Sequence, residues 1–196
     1  MGVMEMSLQE YNDRKAKSYK MLLWFAMISI LMVFAGLTSA YVISKSRPDW
    51  LNDFTLPSAF IASTVVMVLS SVSFHLAKKA IQKDNRKATT MYLLATLVLG
   101  LAFVFLQFKG FSQVIASGYF FTGSESTITT SFLYVVVMVH LAHLFGGLVS
   151  LLIIIYNHFK QKYNSGQTLG IELGAMFWHF LDFLWLYLFL FFYFYK

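Results

Sequence analysis

The chain has 196 residues, of which 58% are hydrophobic and only 12% charged, and its mean hydropathy is +0.65. So little charge, with the apolar residues gathered in long blocks, excludes a water-soluble domain and reads as a polytopic membrane protein. The absence of cysteine excludes disulfides, thiolate metal sites, iron–sulfur clusters and covalent haem attachment through this chain, and the formal charge of +6 lies in short clusters between apolar blocks, which marks membrane topology and not a nucleic-acid partner.

In chain order, residues 1–20 carry charges of both signs and no apolar core ending in a small-residue cleavage site. They read as a cytoplasmic N-terminal tail, not a cleaved signal peptide. Five apolar blocks follow, at about 21–43, 57–77, 89–108, 131–156 and 171–195, and ~20 residues at ~1.5 Å rise suffice to cross a ~30 Å hydrocarbon core. The expectation is an all-α fold, a single transmembrane domain of five helices over residues 21–196. Pro57 suits the first turn of the second helix, where its missing N–H costs nothing.

Lysine and arginine set the orientation. The tail holds Arg14, Lys15, Lys17 and Lys20, the second loop Lys78, Lys79, Lys83, Arg86 and Lys87, and the fourth loop Lys160 and Lys162. The opposite side holds only Lys45, Arg47, Lys109 and Lys196. The positive-inside rule therefore predicts a cytoplasmic N-terminus and a periplasmic C-terminus.

Within the first block, Phe34 to Tyr41 is rich in Ala, Gly, Ser and Thr, which let helix backbones approach closely, so this half reads as a packing face. Trp50, in the loop after it, suits the outer interface. Ser58, Ser63, Thr64, Ser70, Ser71 and Ser73 of the second block can satisfy their hydroxyls on their own helix carbonyls. His75 reads as interfacial. Gln107 closes the third block, and residues 109–130 form the longest loop, expected to lie over the outer surface of the bundle.

The last two blocks carry the ionisable groups. Glu172, Met176, His179, Asp182 and Leu186 share one stripe of the fifth helix, among Phe, Leu, Trp and Tyr on its other faces. A carboxylate and an imidazole at membrane depth are costly unless they meet partners. His140, His143, Gly147, Ser150 and Asn157 keep close to one stripe of the fourth helix, so the fourth helix is the candidate partner face. Depth matching at ~1.5 Å per residue pairs His143 with Asp182 and Ser150 with His179. Three readings of Glu172, His179, Asp182, His140 and His143 stand side by side: an internal polar network that fixes helices together, a proton relay or transport path, and a metal or haem site. The last lacks the extra glutamate that makes H-E-x-x-H telling.

Residues 178–186, W-H-F-L-D-F-L-W-L, resemble the W-H-F-x-D-x-x-W-L signature of subunit III of haem-copper terminal oxidases, with Trp178, Phe180 and Trp185 at its aromatic positions and Glu172 six residues before it. His140-Leu141-Ala142-His143, followed by Gly146-Gly147, resembles that family's H-G-x-H helix. Phe34-Ala35-Gly36-Leu37 with Ala40-Tyr41 resembles its F-A-G-L-x-x-A-Y helix, and Pro48-Asp49-Trp50 fits the loop of bacterial members. The chain resembles the five-helix bacterial form, which lacks a first helix pair that longer members set apart across a lipid-filled cleft. It departs from the family where a membrane glutamate is common: Ile30 stands there, beside Ser29, and no glutamate follows Gln107.

The resemblance implies a non-redox subunit of a proton-pumping oxidase in the bacterial inner (plasma) membrane. It implies direct contact with subunit I, further contacts with subunit II and other oxidase subunits, and bound phospholipid, with haem and copper held by the partner subunits. It assigns no catalytic, cofactor-binding or metal-ligating residue to this chain. Cytochrome c is the donor expected on family frequency. A quinol oxidase is the alternative, and a small proton-coupled transporter is the alternative from another class.

Overall fold

The computed structural model describes residues 8–51, 56–123 and 126–195. Five long helices run α1 (Leu8–Ile43), α2 (Ser58–Gln82), α3 (Arg86–Ala116), α4 (Ile128–Phe159) and α5 (Leu169–Phe194), and each is long and apolar enough to span a bilayer. Among the described residues there is no strand, only isolated bridges at Phe120–Ser126 and Asn164–Gln167. The all-α, five-span expectation therefore holds.

The helices are longer than the apolar blocks. α1 starts at Leu8, so most of the charged stretch taken as a tail is helical, with an exposed i,i+4 ion pair of Arg14 and Glu10 at 2.8 Å. α3 continues past Lys109 to Ala116 because Phe111 and Val114 carry its buried face onward by about two more turns. The loop expected over residues 109–130 shrinks accordingly, and Gln107 lies buried inside the bundle. Hydropathy finds the hydrocarbon, whereas helices end at their caps. Asn85 caps α3 by accepting from the Ala88 N–H at 3.2 Å, and Thr127 with Thr130 forms a capping box for α4.

α5 is the hub of the bundle. It packs on α1, α2 and α4, while α2 and α3 form a close antiparallel hairpin. Trp178 of α5 reaches past α2 to Gly100 of α3, where a Cβ would lie 2.9 Å from its ring. Trp178 shares one buried hydrophobic core with Phe34, Phe60, Phe74, Phe103, Leu144 and Leu181. α1 is peripheral: only 17% of its apolar window is buried, against 39% for α5. Its Phe34, Thr38 and Tyr41 point inward, and Ala35, Gly36, Ser39 and Ala40, expected as a packing face, are exposed on this chain.

The lysine-rich ends are laced together. Asp84, at φ 52 in the α2–α3 turn, accepts the Ser165 N–H at 2.8 Å, and Arg86 donates to the Tyr163 carbonyl at 3.2 Å. The Ser165 bonds hold the Asp84 carboxyl below the usual carboxylate range. Its contribution is present above the unfolded carboxylate pKa and fades as the pH falls through the depressed value. Asp84→Ala should therefore lower the melting temperature of the purified chain at neutral pH, and the gap from wild type should narrow in acid. Gly100→Ala should destabilise by about 1–3 kcal/mol in denaturant unfolding, since the indole it meets is pinned and has no room to retreat.

Candidate functional site

The polar side chains of α5 meet α2 and α1, not α4. The Trp178 Nε1–H donates to Ser70 Oγ at 3.1 Å, the His179 Nδ1 and Ser71 Oγ lie 2.6 Å apart, and the Trp185 Nε1–H donates to Thr64 Oγ1 at 3.0 Å. As α5 advances seven residues from Trp178 to Trp185, α2 steps back six from Ser70 to Thr64, which is the register of two antiparallel helices in contact. The chain makes this arrangement because an indole N–H in hydrocarbon has no water to turn to, so a hydroxyl at matched depth is its partner. Ser70 in turn donates to the Thr96 carbonyl of α3 at 3.4 Å, and Ser73 donates to the Tyr92 carbonyl at 3.0 Å. One polar seam thus joins α5, α2 and α3.

The five ionisable residues divide into separate settings. Glu172 sits near the start of α5, where its Oε2 meets Lys20 Nζ of α1 at 2.9 Å and its Oε1 accepts from the Thr168 hydroxyl at 2.8 Å. His179 lies beyond it, with its ring centroid 6.2 Å from that of His75 and 6.4 Å from that of Phe74. Asp182 keeps part of its surface exposed, but both carboxylate oxygens are buried without a hydrogen-bond partner among the described residues. Ser71, already engaged by His179, is the polar side chain beside it. His140 is fully buried in a cage of Phe34, Phe103 and Trp185, and neither ring nitrogen has a partner among the described residues. The His143 Nδ1–H donates to the carbonyl of Val139, on its own helix, at 2.7 Å. The pairings expected from depth matching, His143 with Asp182 and Ser150 with His179, are not formed. Equal depth is necessary for contact, but the azimuth of α5 turns those residues toward α2.

Of the signature positions, Trp178 and Trp185 are buried and hydrogen-bonded, and Phe180 is half-buried. Gly36 has open space where a Cβ would stand. Tyr41 is buried in a nest of Trp50, Phe132, Phe191, Phe192 and Tyr195. The Thr38 hydroxyl lies 3.1 Å from that of Tyr187, the hydrogen-bonded link of α1 to α5 within the membrane. Among the described residues, no three His, Asp or Glu side chains come together as a metal site would need.

The family model for cytochrome c oxidase subunit III matches residues 10–196, nearly the whole chain. This chain belongs to the cytochrome c oxidase subunit III family. Similar curated relatives include subunit 3 of the cytochrome bo(3) ubiquinol oxidase of Buchnera aphidicola subsp. Schizaphis graminum, 31% identical over 84% of this chain and 87% of the relative. The corresponding subunit of Pseudomonas aeruginosa is 25% identical over 83% of this chain and 78% of its own length. Cytochrome c oxidase subunit 3 of Petromyzon marinus is 30% identical over 86% of this chain and 65% of its own length. The chain is therefore a subunit III of the haem-copper oxidases, membrane enzymes that are oxidoreductases as complexes. The family's C-terminal signature coincides with the seam: its two tryptophans and its histidine are the α5 groups that bond to α2.

Sequence reasoning found the α5 stripe but missed Ser71 and Lys20 as its partners, and missed Ser70 and Thr64 as the partners of Trp178 and Trp185 beside it. The available signal was the six-residue step from Thr64 to Ser70 on a helix antiparallel to one with Trp at a seven-residue step. Ser71→Ala leaves the His179 Nδ1 without that partner in a half-buried setting, and should destabilise the chain by about 1 kcal/mol in unfolding assays. Ser71→Thr, which keeps the hydroxyl, should restore most of the loss.

Proposed function

We propose that this chain is the non-redox subunit III of a proton-pumping terminal oxidase of the bacterial plasma membrane. In this reading it packs directly on subunit I, contacts subunit II and other oxidase subunits, carries bound phospholipid, and stabilises proton uptake and the active site through repeated turnovers. Haem and copper reside in the partner subunits. The N-terminus lies in the cytoplasm and the C-terminus in the periplasm, as the lysine and arginine distribution supports. The observation that carries the reading is the family match over residues 10–196, joined to a bundle that keeps its polar seam inside and turns apolar faces outward.

The exposed row of Ala35, Gly36, Ser39 and Ala40 on α1 supports a helix-to-helix contact outside this chain, since small side chains let a foreign helix approach closely. Glu172, His179, Asp182, His140 and His143 serve as internal structure, with no step of oxygen chemistry assigned to them. The donor is cytochrome c in the first reading. The bo(3) ubiquinol oxidase names of the Buchnera and Pseudomonas relatives favour ubiquinol as a second one.

Gentle purification through a tag on this chain tests the proposal. Haem-bearing subunits should co-purify, with an optical spectrum that leaves when they are stripped away. The stripped oxidase should retain its initial rate but lose activity over fewer turnovers, and adding the chain back should restore the lifetime. Reduction by added cytochrome c or by ubiquinol assigns the donor. A chain that purifies colourless and without haem proteins contradicts the reading.

A further inference from the structure

The two halves of α1 are held very differently. Between residues 10 and 33, Met27 is the single buried side chain among the described residues, whereas Phe34, Thr38 and Tyr41 are all buried in the stretch that follows. This second half is pinned by Phe34 against His140 and His143, by the Thr38–Tyr187 contact and by the aromatic nest around Tyr41. The N-terminal half has one ion pair with the rest of the bundle among the described residues, from Lys20 Nζ to Glu172 Oε2 at 2.9 Å. We propose that this half of α1 is a hinged strap, latched on α5 by Lys20 and released when Glu172 exchanges Lys20 for Lys78 of α2.

Room comes first. Cavities of about 300, 400 and 590 Å³ flank the N-terminal half: beside His75 of α2, between Leu23 and Gly146 of α4, and between Ala16 and Gly166 of the α4–α5 loop. A segment with few buried contacts and space around it opens at low cost. The seam that orders α5, α2 and α3 takes no side chain from α1, so the strap can move without unlocking it.

A hinge comes second. Gly36 has no neighbour where a Cβ would stand, and the Thr38 hydroxyl donates back to the carbonyls of Phe34 at 2.9 Å and Ala35 at 3.2 Å. A glycine and a back-bonded threonine within one turn are where a helix bends. From Gly36 to Ser18 the lever is ~27 Å long, so a swing of about 15° carries Ser18 by roughly 7 Å.

The latch comes third. Glu172 is one carboxylate between two ammonium groups on different helices. Lys20 holds it, while Lys78 borders the same cavity, acts on it through its charge and has no ion pair among the described residues. The Lys20 and Glu172 side chains are 41% and 23% exposed, and an ion pair so open to water is weak. Two arrangements that trade one weak pair for another lie close in free energy, which is what a two-state element requires. The strap does not depend on the oxidase reading, because all its groups come from this chain.

Distances between paired spin labels in the full-length chain, held in lipid nanodiscs, test the strap; a chain without cysteine takes such labels with no background. Ser18→Cys with Lys160→Cys reads the strap against α4, and Ser46→Cys with Ser117→Cys reads the far end of the bundle, all four positions being exposed. Otherwise unaltered protein should show a main strap distance and a minor population longer by up to roughly 7 Å. Lys20→Gln and Glu172→Gln should raise that population roughly fivefold, the upper end for a part-exposed ion pair, and Lys20→Arg should restore the main distance. Lys78→Gln should deplete the longer population, and the far pair should not change in any variant. A strap distance that stays the same in Lys20→Gln and Glu172→Gln would overturn the proposal, since the ion pair would then latch nothing. A longer population that rises as much in Lys78→Gln as in Lys20→Gln would overturn the exchange, in favour of a rim loosened by any lost charge. Movement of the far pair together with the strap pair would overturn the hinge, in favour of looser packing throughout the chain.

Discussion

The bundle depends on one constraint: polar ring atoms of α5 must find hydroxyl partners in a medium that offers no water. Trp178, His179 and Trp185 each meet a Ser or Thr of α2, at separations of 2.6 to 3.1 Å. In hydrocarbon the apolar effect does not drive helices together, so close packing and such bonds decide which helix faces which. Once α5 is registered on α2, the indole of Trp178 reaches α3 at Gly100, and Leu181 packs on α4 at Gly147. α1 joins last in this order, through Thr38 with Tyr187 in the membrane and Lys20 with Glu172 at the rim.

The same constraint explains what the outside of the molecule looks like. Polar side chains are consumed inside, and the outer faces of α1 to α4 show Trp24, Phe25, Met32, Val65, Val98, Phe105 and Phe145. Such faces suit lipid tails and other membrane helices equally well. The family signature lies at the joint of α5 and α2.

Five spans, the helical class and the polar stripe of α5 were legible in the sequence because hydropathy and the 3.6-residue period report on them directly. The partner of that stripe was not. Three histidines and two carboxylates draw attention by their cost in a membrane, and they drew it to α4, whose His140 and His143 share its face. Serine and threonine carry little such signal, since each can satisfy itself on its own helix, as Ser63 and Thr64 do on the Phe60 carbonyl. Depth is one coordinate, and the rotation of each helix about its axis is the other; only packing supplies it. His140 shows a further limit, for nothing in its spacing foretold a cage of three aromatic side chains. Helix ends were likewise set by caps and by buried residues such as Phe111, beyond the reach of hydropathy.

A double-mutant cycle between Trp178→Phe and Ser70→Ala, read by reversible unfolding of the chain in detergent micelles, is the most direct test that the α5–α2 seam holds the fold. Ser70 keeps its Thr96 carbonyl partner in the Trp178 variant, so the cycle isolates the bond between the two side chains. The account predicts a favourable coupling of about 0.5–1.5 kcal/mol, the range for hydrogen bonds between membrane helices. Strict additivity of the two substitutions would contradict it.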